Sequence, residues 1–165
     1  SDGRRGMHYS PAAVWPVATA GRIFIAAPDR VLSAIDASTG RTLWRTAEST
    51  VRETVGLSED SSKVYSKTMR DSVVCFSTRG DRSEKLWASY VGFGYEIAPS
   101  MPQEKDGVVF GSTMNGEVYA LDASDGSVLW RHKVDNSLIS TVVPLDRNRC
   151  LFTSSAGIVG LLEAR

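Results

Sequence analysis

The chain of 165 residues lacks net charge, because 19 lysines and arginines balance 19 aspartates and glutamates. Nucleic-acid binding depends on an excess of basic side chains, so we expect no nucleic-acid partner. Its two cysteines, Cys75 and Cys150, are too few for the disulfide framework of a small secreted domain. The longest nearly apolar stretch, 12–21, is too short to span a bilayer, so no membrane-spanning segment is expected.

Motifs that carry chemistry are equally scarce. His8 and His132 match no metal-ligand spacing, and the signatures of zinc proteases, thiol oxidoreductases and serine hydrolases are absent. We therefore expect no catalytic residue, no metal ligand and no cofactor within this chain. Helical periodicity is missing as well, since the apolar residues form short runs broken by Gly, Pro, Asp and Ser. That spacing is typical of an all-β fold.

What the sequence does contain is an internal repeat. The segment AIDASTGRTLW (34–44) recurs almost unchanged as ALDASDGSVLW (120–130), and Trp44, Trp87 and Trp130 lie 43 residues apart. A period of about 40–45 residues is typical of a propeller blade built from four β-strands. In the first unit we predict strands over 12–19, 22–27, 31–36 and 42–46, with ASTG as the turn between the last two.

The repeat therefore predicts an all-β protein, a β-propeller of four-stranded blades with about four blades present. Blades are expected over 8–46, 51–89, 95–133 and 137–165, the last without its outer strand. Several middle strands are continuous apolar runs, which favours strands buried on both faces between neighbouring blades.

The repeated unit resembles the tryptophan-docking repeat of the PQQ-like (quinoprotein alcohol dehydrogenase-like) β-propeller family. In the Trp87 unit, Ser77 replaces the aspartate and the turn is two residues longer, and in the last unit Glu163 takes the aspartate position. The resemblance implies that each tryptophan packs against the next blade, while the aspartate and glycine shape the turn. The residues expected in this structural role are Asp36, Gly40, Trp44, Trp87, Asp122, Gly126 and Trp130.

Members of this family usually have seven or eight blades, so the resemblance implies that the chain is part of a larger ring. We expect half of an eight-bladed ring, completed by another chain, by a second copy or by residues lost in processing. A closed four-bladed ring with one strand missing and a fragment of a longer polypeptide remain alternatives. A half ring leaves an apolar face at each end, which predicts association in solution.

The resemblance implies a non-catalytic scaffold that binds a protein or ligand in the bacterial periplasm or cell envelope. Two alternatives remain: an accessory or sensor domain of a multidomain hydrolase such as a calcineurin-like phosphoesterase, and a fragment of a PQQ-dependent dehydrogenase. In several such dehydrogenases two adjacent cysteines form a disulfide ring, whereas Cys75 and Cys150 lie two blades apart. Both are expected to be buried, small apolar side chains.

Ligands of propellers tend to bind where the loops around the central channel crowd one face. By register, this face carries a mixture of arginine, tyrosine and glutamate, and arginine and tyrosine are enriched in binding hot spots. The candidate residues for binding a ligand or partner are Tyr9, Arg30, Arg52, Glu53, Arg70, Tyr95 and Glu96.

Overall fold

Every regular element of the described chain is a β-strand. The structure, a computed structural model, describes residues 16–26, 29–47, 51–69, 72–92, 101–113 and 115–165, with 52–54 described by their backbone alone. Within these residues, no helix is long and apolar enough to cross a membrane. The predicted all-β class is therefore confirmed.

Fifteen strands form four antiparallel sheets, and the strands of each sheet pair in chain order. Sheet 1 contains β1 (Val17–Ala18), β2 (Arg22–Ala26), β3 (Leu32–Asp36) and β4 (Thr42–Arg45). Sheet 2 contains β5 (Val51–Leu57), β6 (Lys63–Thr68), β7 (Ser72–Ser77) and β8 (Lys85–Tyr90). Sheet 3 contains β9 (Gln103–Lys105), β10 (Val108–Ser112), β11 (Glu117–Asp122) and β12 (Val128–Lys133). Sheet 4 has three strands, β13 (Ile139–Asp146), β14 (Arg149–Ser154) and β15 (Val159–Glu163).

The sheets stack face to face in chain order, and their first strands β1, β5, β9 and β13 contact one another in series. Each pair of neighbouring sheets encloses its own apolar cluster. The middle strands contribute to both faces, as the continuous apolar runs in their sequences predict. Because each cluster draws its residues from two sheets, the sheets stabilise one another across these contacts.

The sequence repeat is also a repeat of hydrogen bonds. The amide of Asp36 bonds to the carbonyl of Arg41 at 2.8 Å, and the amide of Asp122 bonds to that of Ser127 at 2.8 Å. In sheet 2 the matching bond runs from the Ser77 amide across a turn two residues longer. Ser77 is thus the structural counterpart of the two aspartates.

Buried hydroxyl groups form a second set of repeated hydrogen bonds, which was not predicted from the sequence. Equivalent positions are occupied by Thr68 at the end of β6, Thr113 directly after β10 and Ser154 at the end of β14. Each hydroxyl oxygen accepts a hydrogen bond of 3.3–3.4 Å from the amide four residues further on. These bonds close the hairpin loops between the second and third strands of their sheets.

Both cysteines are free and fully buried, as predicted. Cys75 lies in the cluster between sheets 2 and 3, and Cys150 lies in the cluster between sheets 3 and 4. Burial raises the pKa of the Cys75 thiol to about 12 and that of Cys150 to about 11. Both thiols therefore stay protonated near neutral pH and pack as small apolar groups.

Candidate functional site

The hairpin loops between second and third strands meet the segments that connect successive sheets on one side of the molecule. The Val51 amide bonds to the Arg30 carbonyl at 3.0 Å, and the Val134 amide bonds to the Gly116 carbonyl at 2.8 Å. In sheet 4 the direction is reversed, since the amide of Ser155 in the loop bonds to the carbonyl of Leu138 in the segment before β13 at 2.8 Å. We call this side the loop face, and these bonds hold its loops in place.

Arg30 is the one predicted binding residue whose side chain lies within the described chain. Its backbone adopts a positive φ of 64° in the loop between β2 and β3, and the residue is exposed. The guanidinium group contacts the sulfur of Met69, in the corresponding loop of sheet 2. Beside it, Asp29 forms an ion pair with Arg45, and both side chains are about half exposed. The described part of this loop in sheet 1 therefore carries exposed charged side chains.

The other predicted binding residues are not tested by the described side chains. Arg52 and Glu53 lie in β5, where the structure describes the backbone alone. Tyr9, Arg70, Tyr95 and Glu96 lie outside the described residues. The grouping of these seven residues on the loop face stays a prediction.

A buried lysine near the loop face is a feature that the sequence analysis missed. Lys67, at the end of β6, has 1% of its surface exposed, and its ammonium group donates a hydrogen bond of 3.4 Å to the Ser112 carbonyl of sheet 3. Lysine is rarely buried to this extent, because removing its charge from water is unfavourable. The sequence SKVYSKT around Lys67 gives no signal of this burial, because the carbonyl that it binds lies 45 residues further along the chain.

Trp87 reaches from sheet 2 onto the repeated turn of sheet 3. Its indole Nε1 donates a hydrogen bond of 3.0 Å to the Ala123 carbonyl, and the residue is 8% exposed. The indole packs against Tyr65 with ring centroids 5.8 Å apart. A Cβ atom at Gly126 would lie 2.4 Å from the ring, so the glycine leaves the space that the indole fills.

The two aspartate turns have the same internal geometry. The Asp122 carboxylate accepts hydrogen bonds from the Ser124 amide at 2.8 Å and hydroxyl at 2.5 Å. Asp36 accepts the matching bonds from Ser38 at 2.8 and 2.6 Å. In both turns the serine hydroxyl and then the serine amide lower the pKa of the carboxyl group below its ordinary value of 3.8.

Trp44 packs differently from Trp87. Its ring lies between Phe24 and Phe76, but its buried Nε1 has no hydrogen-bond partner among the described residues. The Thr78 carbonyl, which corresponds to that of Ala123, instead accepts a hydrogen bond of 3.1 Å from Arg22. The longer turn of sheet 2 thus receives a guanidinium group where sheet 3 receives an indole N–H.

Trp130 is only half-buried. It contacts Phe110 of its own sheet edge-on, with ring centroids 6.1 Å apart. Beside it, a groove of about 310 Å³ is lined by Leu162 and the residues that follow β15. The three tryptophans that share one period therefore occupy three different environments.

Acid is expected to destabilise the fold through the repeated turns. The carboxyl pKa values of Asp36 and Asp122 are lowered in the folded chain. The stabilisation that the two carboxylates provide is therefore complete above pH 3.8, and it is lost as the pH falls through their lower pKa values in the folded state. Urea unfolding followed between about pH 5 and pH 2.5 measures this loss. The double variant Asp36→Asn/Asp122→Asn retains an acceptor but no titrating group, so its stability should depend less on pH over this range. An unchanged pH dependence would contradict the assignment.

The sequence of this chain is similar to that of a known protein family. The family model described as outer membrane protein assembly factor BamB matches residues 6–86 and 70–163. The curated outer membrane protein assembly factor BamB of Nitrosomonas eutropha is 28% identical over 122 residues, which cover 74% of this chain and 28% of that protein. The chain thus spans less than a third of the length of this relative.

Two solved structures are similar across most of the chain. The crystal structure of BamB from Moraxella catarrhalis has a TM-score of 0.75 at 16% identity and covers 91% of this chain and 44% of its own. The computationally designed Ika4 protein has a TM-score of 0.72 at 15% identity, covering 91% of this chain and 89% of its own. Together with the four stacked sheets, these similarities confirm the predicted partial β-propeller.

Proposed function

We propose that this chain, which belongs to the family of the outer membrane protein assembly factor BamB, is a non-catalytic scaffold that binds proteins in the bacterial cell envelope. The observation that carries the proposal is the family match, which extends over 6–86 and 70–163 and so includes all four sheets. The name of the matched relative refers to outer membrane protein assembly. We infer that the partners of this chain are proteins of that process, on the periplasmic side of the outer membrane.

The absence of catalytic motifs from the sequence agrees with a scaffold. The repeated aspartates and serines form the turns, and the repeated tryptophans lie in contacts between sheets. Propeller loops held by a rigid scaffold are suited to recognition, because they can vary without disturbing the sheets. We therefore assign binding to the loop face rather than to the aspartate turns on the opposite side.

Within the loop face, the proposed contact residues are the arginines, tyrosines and glutamates named from the sequence. Arg30 supports this assignment, since its charged side chain is exposed and its loop is tied to the next sheet through the Val51 amide. A loop anchored in this way presents its side chain in a defined position and loses little entropy on binding. The grouping of Arg52, Glu53 and Arg70 around it is part of the proposal.

Site-specific photo-crosslinking in the native cell tests the proposed face. A photoreactive residue at position 30 should form covalent adducts with outer membrane assembly proteins, identified by mass spectrometry. Position 41 is the matched control, because Arg41 is an exposed arginine at the opposite end of β3, in the turn that precedes β4. We expect adducts at least about tenfold more abundant at position 30 than at position 41, as binding energy concentrates in few residues.

Equal labelling at the two positions, or adducts with unrelated proteins alone, would contradict the proposed face. The variant Arg30→Ala should weaken the same association while leaving the thermal unfolding temperature unchanged, because the side chain is exposed. Calcium-dependent dye reduction by the chain with added quinone would contradict a non-catalytic function altogether.

A further inference from the structure

The outer face of sheet 4 carries apolar residues at positions that are buried in every other sheet. We call the face of each sheet that points to the next sheet its leading face, and the other its trailing face. On the second strand, Phe24, Tyr65 and Phe110 of sheets 1–3 occupy the leading face and are 0% exposed. The equivalent residue of sheet 4, Leu151, is 38% exposed.

The third strand shows the same contrast. Val159 and Leu161 of β15 are 74% and 52% exposed, whereas the residues at the matching positions of β3, β7 and β11 are fully buried. These matching residues are Leu32 and Ala34, Val73 and Cys75, and Val118 and Ala120. The leading face of sheet 4 thus has the composition of an inter-sheet contact but no sheet packed on it in the described chain.

The trailing face of sheet 1 is the complementary surface. Ile23 and Ile35 are paired across β2 and β3, with Ile25 beside them, and all three are only partly buried. The residues equivalent to Ile23 in the other sheets are Val64, Val109 and Cys150, and each is 0% exposed. Nothing lies within 4 Å of the Cβ position at Gly40, whereas the same position of the sheet 3 turn is filled by Trp87.

The charges at the two ends also match. Arg149 on the leading side of sheet 4 occupies the position of Lys63 in sheet 2. Arg149 also forms an ion pair of 2.7 Å with Asp146 in its own sheet. Asp36 is the equivalent of Asp122 in sheet 1. A basic group at one end of the chain therefore corresponds to an acidic group at the other.

We propose that two copies of this chain pack head to tail, the leading face of sheet 4 in each covering the trailing face of sheet 1 in the other. Two such contacts related by a two-fold axis close a ring of eight blades, and a closed ring leaves no apolar end exposed. The size fits, because the chain corresponds to 44% of the BamB structure from Moraxella catarrhalis. The zero net charge places no overall repulsion between the copies. This proposal does not depend on the loop face binding a partner.

The contacts between copies should be weaker than those within a chain. Sheet 4 has three strands among the described residues, so this part of the chain offers no outer strand with an indole to the Gly40 turn. The assembly should therefore dissociate on dilution while each copy remains folded. Sedimentation equilibrium of the wild-type chain from about 1 to 100 μM should show a reversible rise from 17.9 kDa to twice that mass and no further.

Three variants test which faces meet. Leu161→Glu places a charge on the leading face of sheet 4, and Ile35→Lys places one on the trailing face of sheet 1, where its methylene groups can still cover the sheet. Each is expected to raise the dimer dissociation constant about a hundredfold, because a buried unpaired charge enters both contacts of the ring. Leu86→Glu is the control, since Leu86 is 42% exposed on the outer strand β8; it should leave the dissociation constant unchanged.

Mixing the first two variants gives the sharpest result. A mixed dimer of Leu161→Glu with Ile35→Lys contains one wild-type contact and one in which the new charges are opposite, so we expect the mixture to dimerise more tightly than either variant alone. Far-ultraviolet circular dichroism and thermal unfolding verify that each variant is folded. If Ile35→Lys does not fold, the wild-type concentration series and Leu161→Glu still decide whether sheet 4 forms the contact.

Three outcomes would overturn the proposal. If the folded wild-type chain stays monomeric at all concentrations, both faces must be covered by a different polypeptide. Loss of association in Leu161→Glu but not in a folded Ile35→Lys would indicate two leading faces in contact, which is a symmetric pair rather than a ring. Open-ended growth beyond two copies would show that the head-to-tail contact does not close.

Discussion

Replacing Trp87 with alanine is expected to lower the free energy of unfolding by about 3–5 kcal/mol, as large aromatic truncations do in protein cores. Trp87 is 8% exposed, packs on Tyr65 and donates its N–H to the Ala123 carbonyl of the next sheet. Alanine removes the ring from the contact between sheets 2 and 3 and also leaves that carbonyl without its donor. Urea unfolding followed by circular dichroism measures the change.

Trp44 and Trp130 are the matched comparisons. Trp130→Ala should lower the free energy of unfolding by less than Trp87→Ala does, because the half-buried side chain of Trp130 loses less contact area. Trp87→Phe should cost about 1 kcal/mol more than Trp44→Phe, since only the Trp87 indole donates a hydrogen bond among the described residues. Equal effects of Trp87→Ala and Trp130→Ala would contradict the packing described here.

Gly126→Ala is expected to destabilise the protein by about 3 kcal/mol, whereas Gly40→Ala should cost about 1 kcal/mol. Both glycines have a positive φ, +77° for Gly126 and +73° for Gly40, so alanine is strained similarly in the two turns. Only at Gly126 does the new methyl group meet an indole, 2.4 Å from Trp87 Cε3. The difference between the variants therefore isolates the contact between turn and tryptophan from the backbone strain.

The double variant Gly126→Ala/Trp87→Ala verifies this explanation. With the ring removed, alanine at position 126 should cost no more than alanine at position 40, and the two substitutions should be strongly non-additive. Additive free energies would show that Gly126 is required for the backbone conformation alone.

The fold was predictable because its signals are local and repeated. Alternating and continuous apolar runs indicate strands, and the ASTG and ASDG segments indicate turns that only a few residues can form. Two near-identical segments, 34–44 and 120–130, place the third and fourth strands of sheets 1 and 3 in register. The observed strands β2, β3 and β4 begin and end within one residue of the segments predicted for them.

The binding site was much less predictable. Arg30 could be placed on the loop face from the repeat, but its contact with Met69 depends on how sheets 1 and 2 are stacked. Lys67 was not identified, because nothing in its neighbours along the chain indicates that the next sheet covers it. Burial between sheets depends on contacts between residues far apart in sequence. The pattern within one strand indicates only which of its side chains share a face.

The arrangement of residues along the chain was enough to establish strands, turns, their period and the family, because each depends on short segments and on the interval at which they recur. Stacking of the sheets was needed to distinguish the three tryptophans, which are alike in sequence. Trp87 meets a short turn whose Ala123 carbonyl accepts its N–H. Trp44 meets a longer turn in which Arg22 bonds to the corresponding carbonyl, and Trp130 lies beside a three-stranded sheet. An indole's burial and hydrogen bonding depend on the neighbouring sheet, whose contribution comes from a different part of the chain.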